Sequence, residues 1–372
     1  MARKSIFKKK LGYFSRTVML GNCLAVLLLL LSYSASFINP KTVWPIAFLG
    51  LGYLPILLIN LGFVAYWLLR KPRYALLTLI PILLGWNLLS QHIGFRTQNT
   101  ASEKSDSTLR IMTYNAHLFK EIKNPTTKDF KQGAIDLINK TDPDILCMQE
   151  FFTKIKGQQQ FSKILAQDAG FEDFYFAPAM KSEHEGYGQI IFSKFPIINK
   201  GTITQNEYGI NRIIFVDIVR QQDTIRVYNV HLRSFALQNE DKEFIQNPSA
   251  NTHTEEKATH RVGRKLKDAF EKRSKQAQAL REHIDATRYP VIVMGDFNDT
   301  PMSYSVNLIS RGLKNTFREK GQGWGVTHYE MLPLFQIDYM LCSKVFQVEN
   351  YQIVKEKLSD HYPIWADISL LP

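Results

Sequence analysis

Residues 291–301 read VIVMGDFNDTP, and they are the most informative part of the sequence about the fold. The apolar run VIVM predicts a short buried strand, and Asp296 and Asn298 follow it with hard oxygen atoms. A second run, SDHYP at residues 359–363, places a carboxylate beside a titratable imidazole. Strands deliver such side chains to the rim of a sheet, where they suit metal-assisted phosphate chemistry.

Length and charge narrow the class of protein. The 372 residues, 45 % of them apolar, suffice for one large domain with a substantial core and an appendage. The net charge of +12 suggests nucleic acid or a membrane surface, but residues 1–96 hold 11 basic residues and no acidic one. The rest of the chain therefore holds 35 basic against 34 acidic residues. Net charge gives no support to a general DNA-binding surface there, although a local one stays open.

Three scattered cysteines are too few for a disulfide framework or a zinc site.

Residues 1–96 are predicted to be a transmembrane region with three spans. Residues 18–37 and 46–69 contain no charge, and about 20 residues at 1.5 Å each cross a hydrocarbon core of about 30 Å. Residues 74–89 form a shorter third candidate that carries Asn87. We therefore expect the lipid bilayer to be a partner of these helices.

The basic residues of this region predict its orientation. The N-terminal tail carries six of them and the second connection carries Arg70, Lys71 and Arg73, whereas the first connection has only Lys41. The positive-inside rule then predicts a multi-pass inner or plasma membrane protein whose residues after 96 lie outside the cytoplasm. If a signal peptide were cleaved near Ser34, two spans would remain and the domain after residue 96 would still lie outside the cytoplasm. If the third segment failed to cross, that domain would lie in the cytoplasm. Residues 97–108 are polar and are predicted to be a linker.

From residue 109 to residue 372 the pattern changes to short strands and helices. Residues 264–285 predict an amphipathic helix that lies on a sheet. The β-branched or aromatic runs predict strands at 109–115, 144–150, 187–193, 212–219, 224–232, 291–297, 337–342 and 364–370. This mixture predicts a layered α/β domain with two sheets and outer helices.

Eight polar side chains share one place in these predicted elements, at or just beyond a strand end or at a strand start. Clustered at one rim, they would give oxygen ligands for Mg²⁺ or Mn²⁺ and imidazoles for phosphate oxygens. Any one of them alone is more commonly a turn former or a backbone cap. The eight are Asn115, Glu150, His231, Asp296, Asn298, Asp338, Asp360 and His361.

In this order and with these neighbours, the chain resembles the endonuclease/exonuclease/phosphatase superfamily, whose fold is DNase I-like. The similarity runs from about residue 109 to residue 370, and GDFN together with SDH is its most specific part. The resemblance implies a four-layered sandwich of two packed sheets flanked by helices. The matching pieces are TYN, DILCMQE, YNVHL, GDFN, IDYML and SDHYPI.

The resemblance also implies roles. Glu150 would be the main metal ligand, with Asn115 beside it. Asp296 would orient or deprotonate the attacking water, and Asn298 would hold the phosphate. The resemblance also implies that His361, polarised by Asp360 or Asp338, would contact the phosphate, and that His231 would assist the leaving oxygen or bind phosphate. Asp360 is also a candidate metal ligand.

Further residues are candidates near this site. Arg212 and Arg233 could bind phosphate oxygens, although surface positions are the commoner fate of arginine. His117 departs from the acidic or amide residue that many superfamily members have there, and Gln189 could approach the cleft. Residues 234–265, with His253 and His260, form an insertion that is either a solvated loop or a lid.

Three functions remain open. The first is a membrane-anchored, metal-dependent phosphodiesterase that acts on nucleic acid. The second is a phosphodiesterase or phosphatase that acts on phospholipid or sphingomyelin-type headgroups, which a nearby bilayer makes geometrically easy. The third is an inactive, membrane-bound binding module.

Overall fold

The structure is a computed structural model that describes residues 11–96, 104, 107–119, 130–157, 159–204, 209–246, 255–330 and 335–371. Helices and strands are numbered in chain order. The helices are α1 Tyr13–Ser34, α2 Trp44–Leu51, α3 Tyr53–Arg70, α4 Leu76–Leu84, α5 Trp86–Leu89, α6 Phe130–Thr141, α7 Phe161–Asp168, α8 Asn239–Gln246, α9 Glu255–Ala286, α10 Tyr304–Ser310 and α11 Thr316–Lys320. The strands are β1 Ile93–Phe95, β2 Thr108–Asn115, β3 Ile145–Lys154, β4 Asp173–Lys181, β5 Glu185–Ser193, β6 Ile197–Thr204, β7 Ile213–Arg220, β8 Asp223–His231, β9 Val291–Asp296, β10 Leu313–Asn315, β11 Gln322–Trp324, β12 Asp338–Ser343, β13 Phe346–Ile353 and β14 Ile364–Leu370.

Two mixed sheets of six strands pack face to face. Their strand orders are β13-β14-β2-β3-β5-β4 and β10-β12-β9-β8-β7-β6. Apolar side chains at successive positions of the central strands give each sheet two buried faces, and Ile111 and Ile145 meet Val227 and Met294 between the sheets. The opposite faces are covered by α6 and α7 on the first sheet and by α9 and α10 on the second. The predicted four-layered sandwich is therefore confirmed.

The topology brings polar strand ends to one edge. β8 runs parallel to β9, so their carboxyl ends lie side by side, and a hydrogen bond from Asn115 to Asp296 places the carboxyl end of β2 in the other sheet at the same edge. Asn115, His231 and Asp296 are the last residues of these three strands, and Asp338 begins β12 directly opposite Asp296. Gly295 permits this pairing, since its φ is 139° and a Cβ would lie 2.0 Å from the Val230 carbonyl oxygen.

The N-terminal helices differ from the prediction of three spans. Among the described residues, two helices, α1 and α3, are long and apolar enough to cross a membrane. The predicted span 46–69 is divided at Gly52 between α2 and α3. The predicted span 74–89 is divided at Gly85 into α4 and α5, and Pro81 lies inside α4. The prediction of three spanning helices is corrected accordingly. Two described helices have the length and composition to cross a membrane, and the third segment is interrupted by residues that weaken helices.

The N-terminal segment contacts the sandwich directly. The Ser36 hydroxyl donates to the Met302 carbonyl oxygen over 3.1 Å, and the rings of Phe48 and Phe270 lie 5.2 Å apart at their centroids. β1 pairs with β11 in an antiparallel ribbon. Most of the predicted linker 97–108 lies outside the described residues, but these contacts already hold the α1–α3 region against α9 and the loop before α10.

Candidate active site

The eight predicted side chains meet at the shared edge of the two sheets. Asp296 is central: its Oδ2 lies 3.0 Å from Asn115 Nδ2, 3.7 Å from His231 Nε2 and 3.8 Å from His361 Nε2. Glu150 Oε1 lies 3.8 Å from the same nitrogen of His231. A cleft of about 240 Å³ opens there. It is lined by six of the eight, Asn115, Glu150, Asp296, Asn298, Asp360 and His361, and the other two lie behind it.

Asp296 is fixed by three donors. Its Oδ1 accepts the backbone N–H of Asn298 over 2.7 Å, and its Oδ2 accepts side-chain N–H groups of Asn115 and of Asn298 over 3.0 and 3.1 Å. Asn298 has a φ of 51°, a left-handed conformation that asparagine tolerates well. Burial raises the pKa of Asp296 to about 6, although the neighbouring His361 imidazole opposes this. Near neutral pH the carboxylate can therefore exchange a proton.

His361 and Asp338 form a buried pair. The Nδ1 of His361 lies 2.9 Å from Asp338 Oδ2, and the two side chains are 7 % and 3 % exposed. Burial lowers the pKa of His361, but the carboxylates of Asp338 and Asp296 outweigh it and raise this pKa well above the ordinary value. The imidazole is therefore charged, and its Nε2 is available to donate toward the cleft.

Glu150 reaches the cleft from inside β3. The pairing of β3 with β5 shifts between Met148 and Phe151, and Glu150 has a φ of 50°. This conformation costs on the order of 1–3 kcal/mol for such a residue and is typical of functional sites. Burial raises the pKa of Glu150, and a hydrogen bond from Tyr187 opposes that rise. The prediction of a strand end was inexact here, because β3 continues to Lys154 beyond this bulge.

Asp360 lies among three histidines. Its carboxylate oxygens lie 3.5 Å from His117 Nδ1 and 3.7 Å from His328 Nε2. Burial would raise the pKa of Asp360, but the hydrogen bond from His328 and the charges of His361 and His117 hold it well below the usual value. His117 also lies 3.7 Å from Glu150 Oε2, so it separates two predicted metal ligands.

His328 and Tyr187 are site residues that the sequence did not reveal. His328 forms isolated bridges with Phe335 and His361, and its ring lies 4.9 Å from that of His361. It is a single histidine in a loop, without a motif around it. Tyr187 lies two residues before Gln189, in a strand where only Gln189 was singled out.

The donors of the cleft fit a hard divalent cation. Glu150, Asp360 and Asp296 offer carboxylate oxygens, and Asn115 offers an amide oxygen that also accepts the His117 backbone N–H over 3.1 Å. Within the described part of the chain, two groups of acidic and histidine residues have ligand atoms within 4.8 Å of one another. They are His328, Asp360, His361 and Asp296, Asp338, His361. An oxygen-rich set with a few imidazoles suits Mg²⁺ or Mn²⁺ better than soft metals.

The two predicted phosphate-binding arginines lie away from the described walls of the cleft. The Arg212 guanidinium donates to the carbonyl oxygens of Pro178 and Ala179, over 2.8 and 3.3 Å. The backbone of Arg233 is held by the side chains of Gln276 and Arg273. Neither arginine is among the residues that line the cleft. Their phosphate-binding role remains a prediction that this geometry does not favour.

The insertion 234–265 contributes to the cleft. Residues 234–237 line one wall, and α8 and the start of α9 follow. His253 lies outside the described residues, and the side chain of His260 is 82 % exposed near Glu256. The contacts of residues 234–237 with the cleft and the helix α8 favour the lid over the solvated loop for this part of the insertion, and both remain predictions. Gln189, by contrast, is buried below the site, where its amide N–H approaches Asn229.

The comparisons with known proteins agree with this geometry. A family model described as the endonuclease/exonuclease/phosphatase family matches residues 112–361, well over half of the chain. The chain belongs to this family. The predicted resemblance is thereby confirmed, and members of the family are typically phosphoesterases that use divalent metals. A second model, a domain of unknown function (DUF8431), matches residues 15–92.

Solved structures of the endonuclease/exonuclease/phosphatase family share the fold. A family protein from Beutenbergia cavernae is 20 % identical, with a TM-score of 0.51 over 71 % of this chain and 72 % of that one. D. rerio TDP2, humanized by 14 mutations, is 14 % identical, with a TM-score of 0.51 over 71 % of this chain and 100 % of that one. At such identity these structures show the fold alone. No curated protein matches the sequence.

Proposed function

We propose that this chain is a membrane-anchored, divalent-metal-dependent phosphoester hydrolase. The convergence of Asp296, His361 and Glu150 at one cleft carries this proposal, because the three come from distant parts of the chain. A phosphoester is an anion, and attack on it requires several positive or hydrogen-bonding groups around the growing charge. A bound divalent cation, Mg²⁺ or Mn²⁺, would neutralise phosphate oxygens and polarise the phosphorus.

The metal would be held by Glu150, Asp360 and Asn115. The first two carboxylates flank His117, so both face the same part of the cleft. With a low pKa, Asp360 stays ionised throughout the physiological range. Cation binding would also lower the pKa of Glu150, because it stabilises the charged carboxylate that burial disfavours.

The remaining residues would handle the protons of the reaction. Asp296 takes a proton from the attacking water as the oxygen bonds to phosphorus, and the bond from phosphorus to the leaving oxygen breaks. The charged His361 donates a hydrogen bond to a phosphate oxygen. The proton then leaves Asp296, through solvent in the cleft, for the leaving oxygen. Burial lowers the pKa of His231, so its ring is neutral, and from behind the cleft, 3.7 Å from Asp296, it would help to position that carboxyl group. Both hydrogens of the Asn298 amide bond to Leu232 and Asp296, which suits positioning Asp296 better than binding phosphate.

The membrane anchor is supported by exposed leucines. Leu20 and Leu24 on α1 are 72 % and 57 % exposed, and Leu69 on α3 is 91 % exposed. Exposing these leucine side chains to water is unfavourable, whereas contact with the hydrocarbon chains of a lipid bilayer is not.

The path of the chain supports the predicted non-cytoplasmic side. The ring of Tyr74 packs on Trp67 near the end of α3, and the ring of His92 packs on Tyr53 at its start. Residues 74–92 therefore run back along α3, which at 18 residues is roughly 27 Å long. The catalytic domain and the basic loop at Arg73 then lie at opposite ends of the helices. Impermeant maleimide should label Lys181→Cys but not Arg73→Cys in intact spheroplasts, and the reverse pattern would contradict this orientation.

Hydrolysis of an activated phosphodiester by the full chain tests the proposal. The protein should hydrolyse bis(p-nitrophenyl) phosphate with Mg²⁺ or Mn²⁺ and lose this activity in EDTA. Asp296→Asn should lower kcat by roughly 10²–10⁴-fold because the proton acceptor is lost. Asp217→Asn is a matched control: Asp217 is equally buried but pairs with Arg226 in the sheet.

Two results would contradict the assignment. Activity that survives EDTA would exclude a dependence on divalent metal. Equal activity of Asp296→Asn and Asp217→Asn would exclude Asp296 from the reaction. Either a nucleic-acid or a lipid phosphoester satisfies the chemistry of the cleft itself.

A further inference from the structure

An apolar cavity adjoins the catalytic cleft. Its volume is about 320 Å³, and five of its lining residues also line the cleft. These shared residues are Leu51, Phe235, Leu237, Thr300 and Phe335. Four of the five are apolar, so the two spaces meet across a hydrophobic boundary.

The cavity is formed where the N-terminal helices meet the catalytic domain. One side is built by Phe48 and Leu51 of α2 and by Tyr53 and Leu54 of α3. The other side is built by residues of the insertion and of α9, namely Phe235, Leu237, Ile245, Val262 and Leu266. His92 and Tyr53 carry the ionisable rings of the described walls. No aspartate, glutamate, lysine or arginine lines these walls, so no such charged side chain would bind an anion there.

The position of the cavity links the cleft to the proposed membrane surface. It lies at the first turn of α3, where Leu54 and the exposed Pro55 also line it. The same helix exposes Leu58, Ile59 and Leu61 one and two turns further on. An apolar chain that leaves a bilayer along α3 would therefore meet the cavity before it meets the polar cleft.

An apolar space of this size takes an apolar ligand. Water gains too few hydrogen bonds from such walls, and cavities lined by Leu, Ile and Phe bind hydrocarbon instead. A nucleotide offers an anionic backbone and polar bases, which the cavity does not match. A lipid phosphoester offers a phosphate for the cleft and a hydrocarbon chain for the adjoining cavity.

We propose that the cavity between α2, α3, α8 and α9 binds the acyl or alkyl chain of a membrane lipid whose phosphoester lies in the catalytic cleft. This rests on the proposed phosphoester hydrolase and names its substrate class. The bond that breaks is the same phosphorus–oxygen bond, so no further reactant is needed. The N-terminal helices thus supply one wall of the substrate site as well as an anchor.

A chain-length series tests this directly. The substrates are p-nitrophenyl phosphodiesters of methanol, butanol, octanol and dodecanol, each below its aggregation concentration. The enzyme is the full chain held in an amphipathic polymer, so that no free detergent tail competes. Each buried methylene should raise kcat/KM by up to about fourfold until the cavity is full. A nearly flat series, or faster cleavage of a single-stranded oligonucleotide than of the dodecyl ester, would overturn the proposal.

A cavity-filling variant locates the effect. Leu266→Trp should lower the ratio of dodecyl to methyl kcat/KM by at least roughly tenfold, because its indole fills space that the chain needs. Ile198→Trp is the control: Ile198 is 59 % exposed on β6, away from the cavity, and should leave this ratio unchanged. If Leu266→Trp fails to fold, Val262→Phe on the same helix gives the same comparison. An unaltered ratio in the folded variant would contradict the proposed site.

The two proposals fail in different ways. If the methyl ester is hydrolysed and EDTA stops it, but the series is flat, the hydrolase stands and only the lipid site is refuted. If no ester is hydrolysed with metal present, the proposed function itself fails.

Discussion

Replacing Asp338 by asparagine should lower the pKa of His361 and neutralise its imidazole without changing the position of the ring. The carboxylate lies 2.9 Å from Nδ1 and is the strongest of the charges that raise the pKa of this buried imidazole. Without it, Asp296, 3.8 Å from Nε2, and the weaker charge of Asp360 are left to oppose the effect of burial. The ring then becomes neutral and loses the positive charge that faces the phosphate.

The size of the effect follows from the bond that is lost. A hydrogen bond to a charged group contributes about 1.5–3 kcal/mol, and every 1.36 kcal/mol is a factor of ten in rate. We therefore expect kcat/KM on an activated phosphodiester to fall by roughly 10- to 150-fold. The assay is steady-state hydrolysis at pH 7 with saturating Mg²⁺, together with ¹⁵N histidine spectra that report the charge of the ring.

Asp367→Asn supplies the matched control. Asp367 is buried in β14 and receives two hydrogen bonds from Arg110, over 2.7 and 3.0 Å, far from the cleft. Its replacement should cost stability but not activity per folded molecule. The reasoning is refuted if Asp338→Asn keeps the activity of the parent protein, or if Asp367→Asn loses as much.

Two further predictions concern the frame around the cleft. Arg273 is fully buried, and its guanidinium lies 3.3 Å from Asp299. Arg273→Met leaves the buried carboxylate of Asp299 without its partner and should lower the free energy of unfolding by about 3–5 kcal/mol in a denaturant titration. A loss below about 1 kcal/mol would show that stability does not depend on this pair. Asp241 in α8 pairs with Arg261 and Lys265 of α9, and although burial alone would raise its pKa, these partners lower the pKa to about 2. Since the folded pKa lies below the unfolded value near 4, this stabilisation is complete above about pH 4 and is lost as the pH falls toward 2. Asp241→Asn should abolish that part of the acid dependence, and an unchanged acid profile would contradict it.

The sequence predicted the sandwich because its strands follow clear rules. β9 and β12 read as continuous apolar runs that end or begin at Asp296 and Asp338, and register pairs these two residues directly. Side chains at such ends must share an edge, so their meeting followed from periodicity and from the resemblance.

Other features depend on tertiary structure that periodicity does not encode. Glu150 enters the cleft through a bulge inside β3, and His328 does so from a loop bridged to His361. The predicted span 74–89 is not one helix, because Gly85 divides the apolar run between α4 and α5. The cavity beside the cleft needs Leu51 to meet the insertion, and no local pattern shows that distant contact.

Binding of Mn²⁺ to the full chain, followed by electron paramagnetic resonance, shows whether side chains from distant strands form one site for a hard cation beside the phosphate. The protein should bind Mn²⁺, and Glu150→Gln should weaken that binding by at least roughly tenfold because a charged oxygen ligand is lost. Asp217→Asn, which removes a buried carboxylate that pairs with Arg226 away from the cleft, should bind as the parent protein does. Equal Mn²⁺ affinity in Glu150→Gln and the parent would contradict the account.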